Sequence, residues 1–600
     1  MRNSKNISEL NDCFMHIFAY VLYLKGTCAF ETPSFSEVYQ QTRGLFNKSA
    51  ELAIGMGVDI RKYDKARFAV CVWVDEIFST MSWSHNQQWL QHTLQSEFYG
   101  LPNANTAFFL RLNALRDDEY AVREIYLYCL YLGYCGQYLL EGDKPLLKQL
   151  KLSQLNSLVD NKSLIHSIHN SSIFKYAYPI YAQGNQALAG NAFRPASMQT
   201  PVVDSIIGKN PSRPIWSSVS IIVHSGNKIL EFISTGASVF SYFQYLRLIA
   251  SKSSRSRKGK LDPFQNNCKR DVQTKIAEFN LQWNSCITQV KKTIKKNWIS
   301  KSFSSRAWYI VIGDKGQGKT SLLQASEALS PVENHSTTDS RRRFNPLGFW
   351  LMRDSVILDT PGEMIEQRND EDTILWWSLL KQLKRFRKKN SVNGIILCIS
   401  AETLRSHDMV NLQQRGDNIR RRLDEVSDIL KTQYPVYVLV TQCNKLDNQE
   451  GYFENFPVAV TKQAMGKLYQ IPSEEHQLKE LIGDTLRYIY EQLNILRLLN
   501  LRDNDSLSKM ERNFFFPEKF MLLKHGLTTL LHPIFRADQD TREKSYAYLR
   551  GVFFTSVGVQ EQNDKINFKK SAGYFLQELF TVVLPADKEL LTPSTPIKKS

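Results

Sequence analysis

No C-x-x-C pair occurs among the nine cysteines of this 600-residue chain. An odd, scattered set argues against a zinc site or a disulfide framework, and for free thiols in a reducing compartment. The N-terminal MRNSKNISELND lacks the apolar stretch of a signal peptide, so the sequence reads as cytosolic. No zinc finger, RNA-recognition motif or other nucleic-acid module is legible. Internal repeats are absent too.

Long apolar runs are also scarce. The strongest, residues 229–250 (ILEFISTGASVFSYFQYLRLIA), has an uncharged centre only from Phe232 to Leu246. That is shorter than the ~20 apolar residues of a spanning helix. Ser, Thr and Gln dilute it, and the basic run KSSRSRKGK follows from Lys252. An in-plane or partner-bound helix against anionic headgroups is favoured over a span, with an ordinary buried helix as the third reading.

What is present is ordinary globular protein with a basic bias. Hydrophobic residues make up 42% and charged residues 22%, while the net charge is +17. Length suggests roughly three to four domains at ~150 residues each. The charge predicts attraction to polyanions, an anionic membrane surface among them, without a specific nucleic-acid partner. Lys291–Lys301 and Arg341-Arg342-Arg343 are further basic stretches that also fit solvated faces or linkers.

Residues 1–150 show apolar residues at helical spacing in CFMHIFAYVLYLKG, ARFAVCVWVDEIFSTM and VREIYLYCLYLGYCGQYLL, which predicts an all-α bundle. Residues 151–215, rich in Asn, Ser, Gln, Gly and Pro, read as a linker. The weak apolar segment and basic run fill 216–260, and a helical lead-in with Trp283 and Trp298 fills 261–304. Strands and helices then alternate over 305–500, which predicts an α/β domain with a parallel sheet. Residues 501–600 read as a mostly helical extension containing the strand-like Gly551-Val552-Phe553-Phe554-Thr555.

The chemistry concentrates in Gly313-Asp314-Lys315-Gly316-Gln317-Gly318-Lys319-Thr320, which fits G-x-x-x-x-G-K-[ST]. Glycines let such a loop curl its N–H groups onto phosphate oxygens. Lys319 supplies a fixed charge for the outer phosphates and the Thr320 hydroxyl a ligand for Mg²⁺. Context supports the match: Ala307–Ile312 reads as a buried strand, and Ser321 onward opens a helix. A second apolar strand, 355–359, runs into Asp359-Thr360-Pro361-Gly362. An aspartate there serves Mg²⁺, and Gly362 can present its N–H to a γ-phosphate. Together these predict a GTPase-like P-loop domain binding Mg²⁺ with ATP or GTP.

Asn444-Lys445-Leu446-Asp447 spells N-K-x-D, the guanine-reading motif. That motif begins where its strand ends, and the strand here reads as 436–440. The register would then be Thr441-Gln442-Cys443-Asn444, in which an asparagine cannot accept both guanine N–H bonds. Either the strand is three residues longer or the motif is incidental, the reading favoured here. Thr441, Asn444, Lys445 and Asp447 stand as the candidate base contacts. Glu363 occupies the position of the water-orienting glutamine, where a carboxylate adds repulsion or acts as a base. Lys319 and Glu363 are thus the candidate catalytic residues, for slow hydrolysis if any. Thr337 or Thr338 is a candidate switch residue over Mg²⁺.

From the P-loop onward the chain resembles the cytoplasmic domain of the IcmF/TssM family of type VI and type IVB secretion systems. The resemblance runs through Phe349-Trp350, Trp376-Trp377-Ser378-Leu379-Leu380, Asn393-Gly394-Ile395-Ile396-Leu397, Ile419–Glu425, Pro435–Thr441, Leu549–Ser556 and Tyr574-Phe575-Leu576. Residues 8–145 instead resemble the DotU/TssL (IcmH) family. There Asp75-Glu76 precedes Trp83, Trp89 and Phe108-Phe109, and Glu124–Leu130 leads to Leu132–Tyr138. Asp75-Glu76 has no histidine or metal partner nearby and reads as a structural contact rather than a catalytic pair.

The resemblance implies a fusion of two membrane-complex partners: an oligomeric scaffold at the cytoplasmic face of the inner membrane, contacting other membrane-complex and baseplate proteins. Its P-loop would act as a switch. The alternatives are an active NTPase that energises secretion, and a pseudo-NTPase scaffold without hydrolysis. Both families carry membrane helices that this sequence lacks in recognisable form, so either they were lost or the chain is a truncated portion.

Overall fold

The computed structural model describes residues 2–28, 32–161, 172–179, 263–296, 306–326, 330–331, 347–387, 391–406, 408–447, 452–454, 456–469, 478–503, 507–536, 547–559 and 571–588. Met1–Ala192 and Glu278–Ser600 form one compact unit, and Phe193–Ala277 a second. Of the second, only the start of the helix Pro263–Lys296 is described. The apolar segment 229–250, the basic run from Lys252, Arg341–Arg343, Thr337 and Thr338 all lie outside the described residues.

The helical periodicity of the N-terminal region is realised in helices Arg2–Thr27, Phe35–Gly55, Ile60–Thr80, Tyr120–Tyr131 and Lys144–Asn161, with shorter ones between. Ser34 and Asp59 cap two of them, accepting from the Glu37 and Arg61 amides. Such caps satisfy amides that lack an intrahelical partner. Phe14, Phe18, Trp73, Trp89 and Tyr128 fill the core between the helices.

Asp75 and Glu76 are structural, as their surroundings implied. Asp75 accepts from Trp89 Nε1 (2.9 Å), the Leu94 amide (2.9 Å) and the Gln95 amide (2.8 Å). Glu76 accepts from the Cys135 and Gly136 amides at 2.6 and 2.8 Å. Asp75 thus ties the short helices Asn86–Gln91 and Leu94–Tyr99, and Glu76 the start of the turn Gly136–Tyr138, to the helix Ile60–Thr80.

Runs of Val, Ile, Leu and Tyr buried on both faces build the sheet of the second part, as parallel strands require. The strands are β1 (Ala307–Ile312), β2 (Ser330–Pro331), β3 (Gly348–Leu351), β4 (Ser355–Asp359), β5 (Gly394–Ser400), β6 (Tyr434–Thr441), β7 (Gly466–Leu468) and β8 (Ala547–Phe554). Their order is β2-β3-β4-β1-β5-β6-β8-β7. The expected parallel sheet is in fact mixed. The five central strands run parallel, β3 on one side and β7 on the other run against them, and β2 pairs antiparallel with β3. Residues after 500 are not simply a helical extension, because β8 lies between β6 and β7. Its apolar C-terminal half, Gly551–Phe554, is explained by that burial. Ser556–Val559 (β9) and Ser571–Tyr574 (β10) form a separate antiparallel pair.

The stretch 151–215, read as a linker, opens inside the helix Lys144–Asn161. Further on, Ile173, Phe174, Ala177 and Tyr178 are buried in the core around the sheet. Tyr178 hydrogen-bonds Glu578, and its hydroxyl accepts from the Ala464 amide at 3.0 Å.

The helix Leu478–Asp503 serves both parts. Ile482, Leu486, Ile489, Leu493 and Leu496 join the sheet-side core. Leu498 and Leu501, with Met510 and Phe514 of the next helix, join the core of the N-terminal bundle. Among the described residues no helix is long and apolar enough to cross a membrane.

Candidate functional site

β1 is buried along its whole length and pairs in parallel with β4 and β5. It therefore delivers residues 313–318 to the edge where β4 delivers Asp359. Helix Lys319–Ala325 begins directly after the loop. The strand–loop–helix order expected from the sequence is present, and β1 has the limits read there.

The glycines meet specific demands. Gly316 and Gly318 adopt φ of +81° and +74°, a region that penalises side chains. A Cβ on Gly313 would collide with the Cys398 carbonyl of β5. One on Gly362 would run into the Lys315 amide, so the two loops touch backbone to backbone.

The expected Mg²⁺ residues stand together. Thr320 Oγ1 donates to Asp359 Oδ2 at 2.7 Å. Asp359 is 7% exposed and its Oδ1 has no hydrogen-bond partner. Burial raises the Asp359 pKa, against the opposing pull of the Thr320 bond and of Lys319. A buried carboxylate oxygen without a donor, beside a hydroxyl, is a chemically suitable donor set for a hard cation. Among the described residues no cluster of three or more His, Cys, Asp or Glu could hold a metal.

Lys319 Nζ donates to its own loop, to the Gly313 carbonyl at 2.6 Å and the Asp314 carbonyl at 2.8 Å. Asp314 pairs with Arg415 at 3.4 Å, and burial raises its pKa. Gln317 is 7% exposed and braces the loop from below. Its Oε1 accepts from the Ser400 amide at 2.6 Å and its Nε2 donates to Thr403 Oγ1 at 3.2 Å. Ser321 is exposed on the first turn of the helix.

Glu363 lies 3.3 Å from Lys315 Nζ. Its pKa is lowered, first by its own backbone amide and then by Lys315. It is therefore a weak proton acceptor. Glu366, unremarked in the sequence, accepts from the Lys315 amide at 2.9 Å. The signal for it was its spacing, one helical turn past Gly362-Glu363.

The N-K-x-D stretch is placed differently from the rest. β6 ends at Thr441, one residue beyond the expected strand end, and Cys443–Asp447 forms a 3-10 turn. Thr441 Oγ1 donates to the Gln317 carbonyl at 2.7 Å, and Gln442 Nε2 to the Gly316 carbonyl at 3.1 Å. These two residues thus support the backbone of the glycine loop. The Asn444 amide donates to Ser556 Oγ at 3.3 Å, and Lys445 faces Glu402 at 3.7 Å. Thr441 adjoins the loop, Asn444 is held through its backbone amide and Lys445 by its ion pair, and Asp447 closes the turn.

Two families match the chain. One, described as type VI secretion system protein DotU, matches residues 9–219; the other, the IcmF-related N-terminal domain, matches residues 369–600. The glycine loop 313–318 and Asp359 fall between these matches. The chain is 23% identical over 318 residues to the type VI secretion system component TssM1 of Pseudomonas aeruginosa, covering 49% of this chain. It spans 28% of the length of that relative. Among solved structures, the cytoplasmic domain of TssL from Acinetobacter baumannii is matched at 24% identity with a TM-score of 0.24. That match covers 26% of this chain and 98% of the other. The chain is a type VI secretion fusion, with a DotU (TssL-like) region at its N-terminus joined to an IcmF-related (TssM-like) region.

Proposed function

We propose that this protein is a scaffold of the type VI membrane complex, held at the cytoplasmic face of the inner membrane, whose P-loop binds a nucleoside triphosphate with Mg²⁺ as a conformational switch. The observation that carries the nucleotide reading is the Thr320–Asp359 pair, 2.7 Å apart at the end of the glycine loop with Asp359 Oδ1 unpartnered. Thr320 and Asp359 would hold the cation, and Lys319 would turn from the Gly313 and Asp314 carbonyls to the outer phosphates. Mg²⁺, when bound, supplies charge neutralisation for the phosphate oxygens.

A switch is favoured over an energy source by Glu363. Its lowered pKa and its ion pair with Lys315 leave it a poor base for activating water. Choice between adenine and guanine does not rest on Thr441 and Gln442, whose polar groups hold the loop.

The scaffold role is supported by the two family regions in one chain. Tethering raises their effective concentration to roughly millimolar for a short flexible linker. Other membrane-complex and baseplate components are the expected partners, in an oligomer. The net charge of +17 suits an anionic lipid surface.

The test is a calorimetric titration of the purified full chain with ATP and GTP in Mg²⁺. Binding of at least one nucleotide, abolished by Lys319→Ala, is expected. Absence of binding with both would leave a scaffold without a nucleotide switch.

A further inference from the structure

Resting on that reading, we infer that Glu366 occupies a phosphate position of the P-loop, and that an incoming nucleotide must displace this carboxylate to bind. Backbone N–H groups of a glycine loop are the groups that hold phosphate oxygens. Here the Lys315 amide already donates to Glu366 Oε1 at 2.9 Å. Bonds from an amide to an ionised carboxylate are stronger than neutral ones. The carboxylate is also fixed from its other side, because Glu366 Oε2 lies 2.7 Å from Arg368 Nη2. Its side chain is only 15% exposed.

The rest of the loop is closed in the same way. Lys315 Nζ is drawn to Glu363 at 3.3 Å, and Lys319 Nζ satisfies itself on loop carbonyls. Gly362 lies against the Lys315 amide so closely that a methyl group would not fit. The segment Gly362–Glu366 thus lies over the phosphate loop with a carboxylate directed at its backbone. One N–H cannot serve Glu366 and a phosphate oxygen equally, and two anions at one loop repel.

Displacement gives the switch its moving part. Gly362–Glu366 packs against the helices Asp370–Phe386 and Met409–Leu430. Arg415, which pairs with Asp314 of the loop, stands on the second of these. Entry of phosphates would therefore shift a segment that both helices touch.

The experiment uses the full chain with Glu366→Gln, Glu366→Ala and Lys319→Ala. Each is titrated in Mg²⁺ with ATP, GTP and inorganic tripolyphosphate, and its fold is checked by thermal melting. Both Glu366 variants should bind about tenfold tighter than wild type, the size of one charge-assisted hydrogen bond. The gain should be the same for tripolyphosphate, which has no base. Hydrogen exchange at the Lys315 amide should quicken without ligand in Glu366→Ala, and less in Glu366→Gln, whose amide oxygen can still accept. If wild type binds and the folded Glu366 variants bind equally or more weakly, the displacement is wrong and the nucleotide reading stands. If neither wild type nor the Glu366 variants bind any of the three, both are overturned, since Glu366 then has nothing to exclude.

Discussion

Arg497 Nη2 donates to Glu518 Oε1 at 2.5 Å, with the arginine side chain 2% exposed. Its guanidinium carbon lies 4.7 Å from the ring centroid of Phe514 and 5.6 Å from that of Tyr128. Tyr128 belongs to the DotU-type region, whereas Arg497, Phe514 and Glu518 belong to the IcmF-related one. A buried cation thus sits at the joint between them; burial opposes its charge, and Glu518, Tyr128 and Tyr490 outweigh that and raise its pKa. Tyr490 and Asp12 (2.7 Å) and Lys25 and Glu511 (2.7 Å) reinforce the same joint.

Arg497→Ala should therefore destabilise the protein by about 3 kcal/mol, because it leaves Glu518 with only the Tyr490 hydroxyl and no cation, and removes packing from two rings. Arg497→Met, which keeps the volume, should cost less. Urea unfolding followed by tryptophan fluorescence reads the difference. Limited proteolysis should show the N-terminal region released earlier in the alanine variant.

Asp75 gives a pH dependence. Burial pushes its pKa up to about 7 against three donors that favour the ionised form. Unfolded, it titrates near 3.9. Between about pH 4 and 7 the folded protein therefore binds more protons than the unfolded chain, so this group's contribution to stability falls as pH rises. Stability measured at pH 5 and pH 8 should drop more in wild type than in Asp75→Asn. An equal drop in both would remove Asp75 as the cause. The variant should be less stable at every pH, because its amide group faces N–H donors.

Much of this architecture was legible where local pattern decides it. The apolar run Ala307–Ile312 and the glycines after it fixed β1 and the loop, since six buried residues between polar flanks leave a parallel strand as the simple reading. Asp75 and Glu76 were readable as structural because no metal-type neighbours stood near them. The place of β8 was not legible. Its Gly-Val-Phe-Phe end reads as a strand, but pairing with β6 spans over a hundred residues of sequence and no local signal encodes it. The antiparallel β3 was hidden for a similar reason, since its four residues are too short to show a period. Glu366 escaped notice because a carboxylate on a short helix is ordinary until the Lys315 amide is seen beside it.

Gly362 tests the contact between the two loops. A methyl group there would strike the Lys315 amide and the Asp314 carbonyl carbon, both backbone atoms that cannot swing away. Gly362→Ala should therefore push Gly362–Glu366 off the glycine loop and lower the melting temperature. A small change is expected, since the segment is short and near the surface: about 1–3 kcal/mol for an overpacked site. Hydrogen exchange should increase at residues 313–318 and not in the N-terminal helices. Uniform exchange across the chain would point to global destabilisation instead.

The last test lies at the far end of the chain. Arg550 of β8 donates to Asp587 through Nε at 2.7 Å and Nη2 at 3.0 Å, and Asp587 is fully buried. Tyr437 of β6 adds its hydroxyl to the same carboxylate at 3.1 Å. Removing one partner of a buried pair leaves the other charge without water, at a cost of about 3–5 kcal/mol. Asp587→Ala should approach that loss, because it strands Arg550 beneath the sheet. Replacing both as Arg550→Met with Asp587→Leu should recover most of it, because no buried charge remains. Denaturant midpoints of the single and double variants decide the matter. If the double variant is as unstable as Asp587→Ala, packing rather than the uncompensated charge dominates at this position.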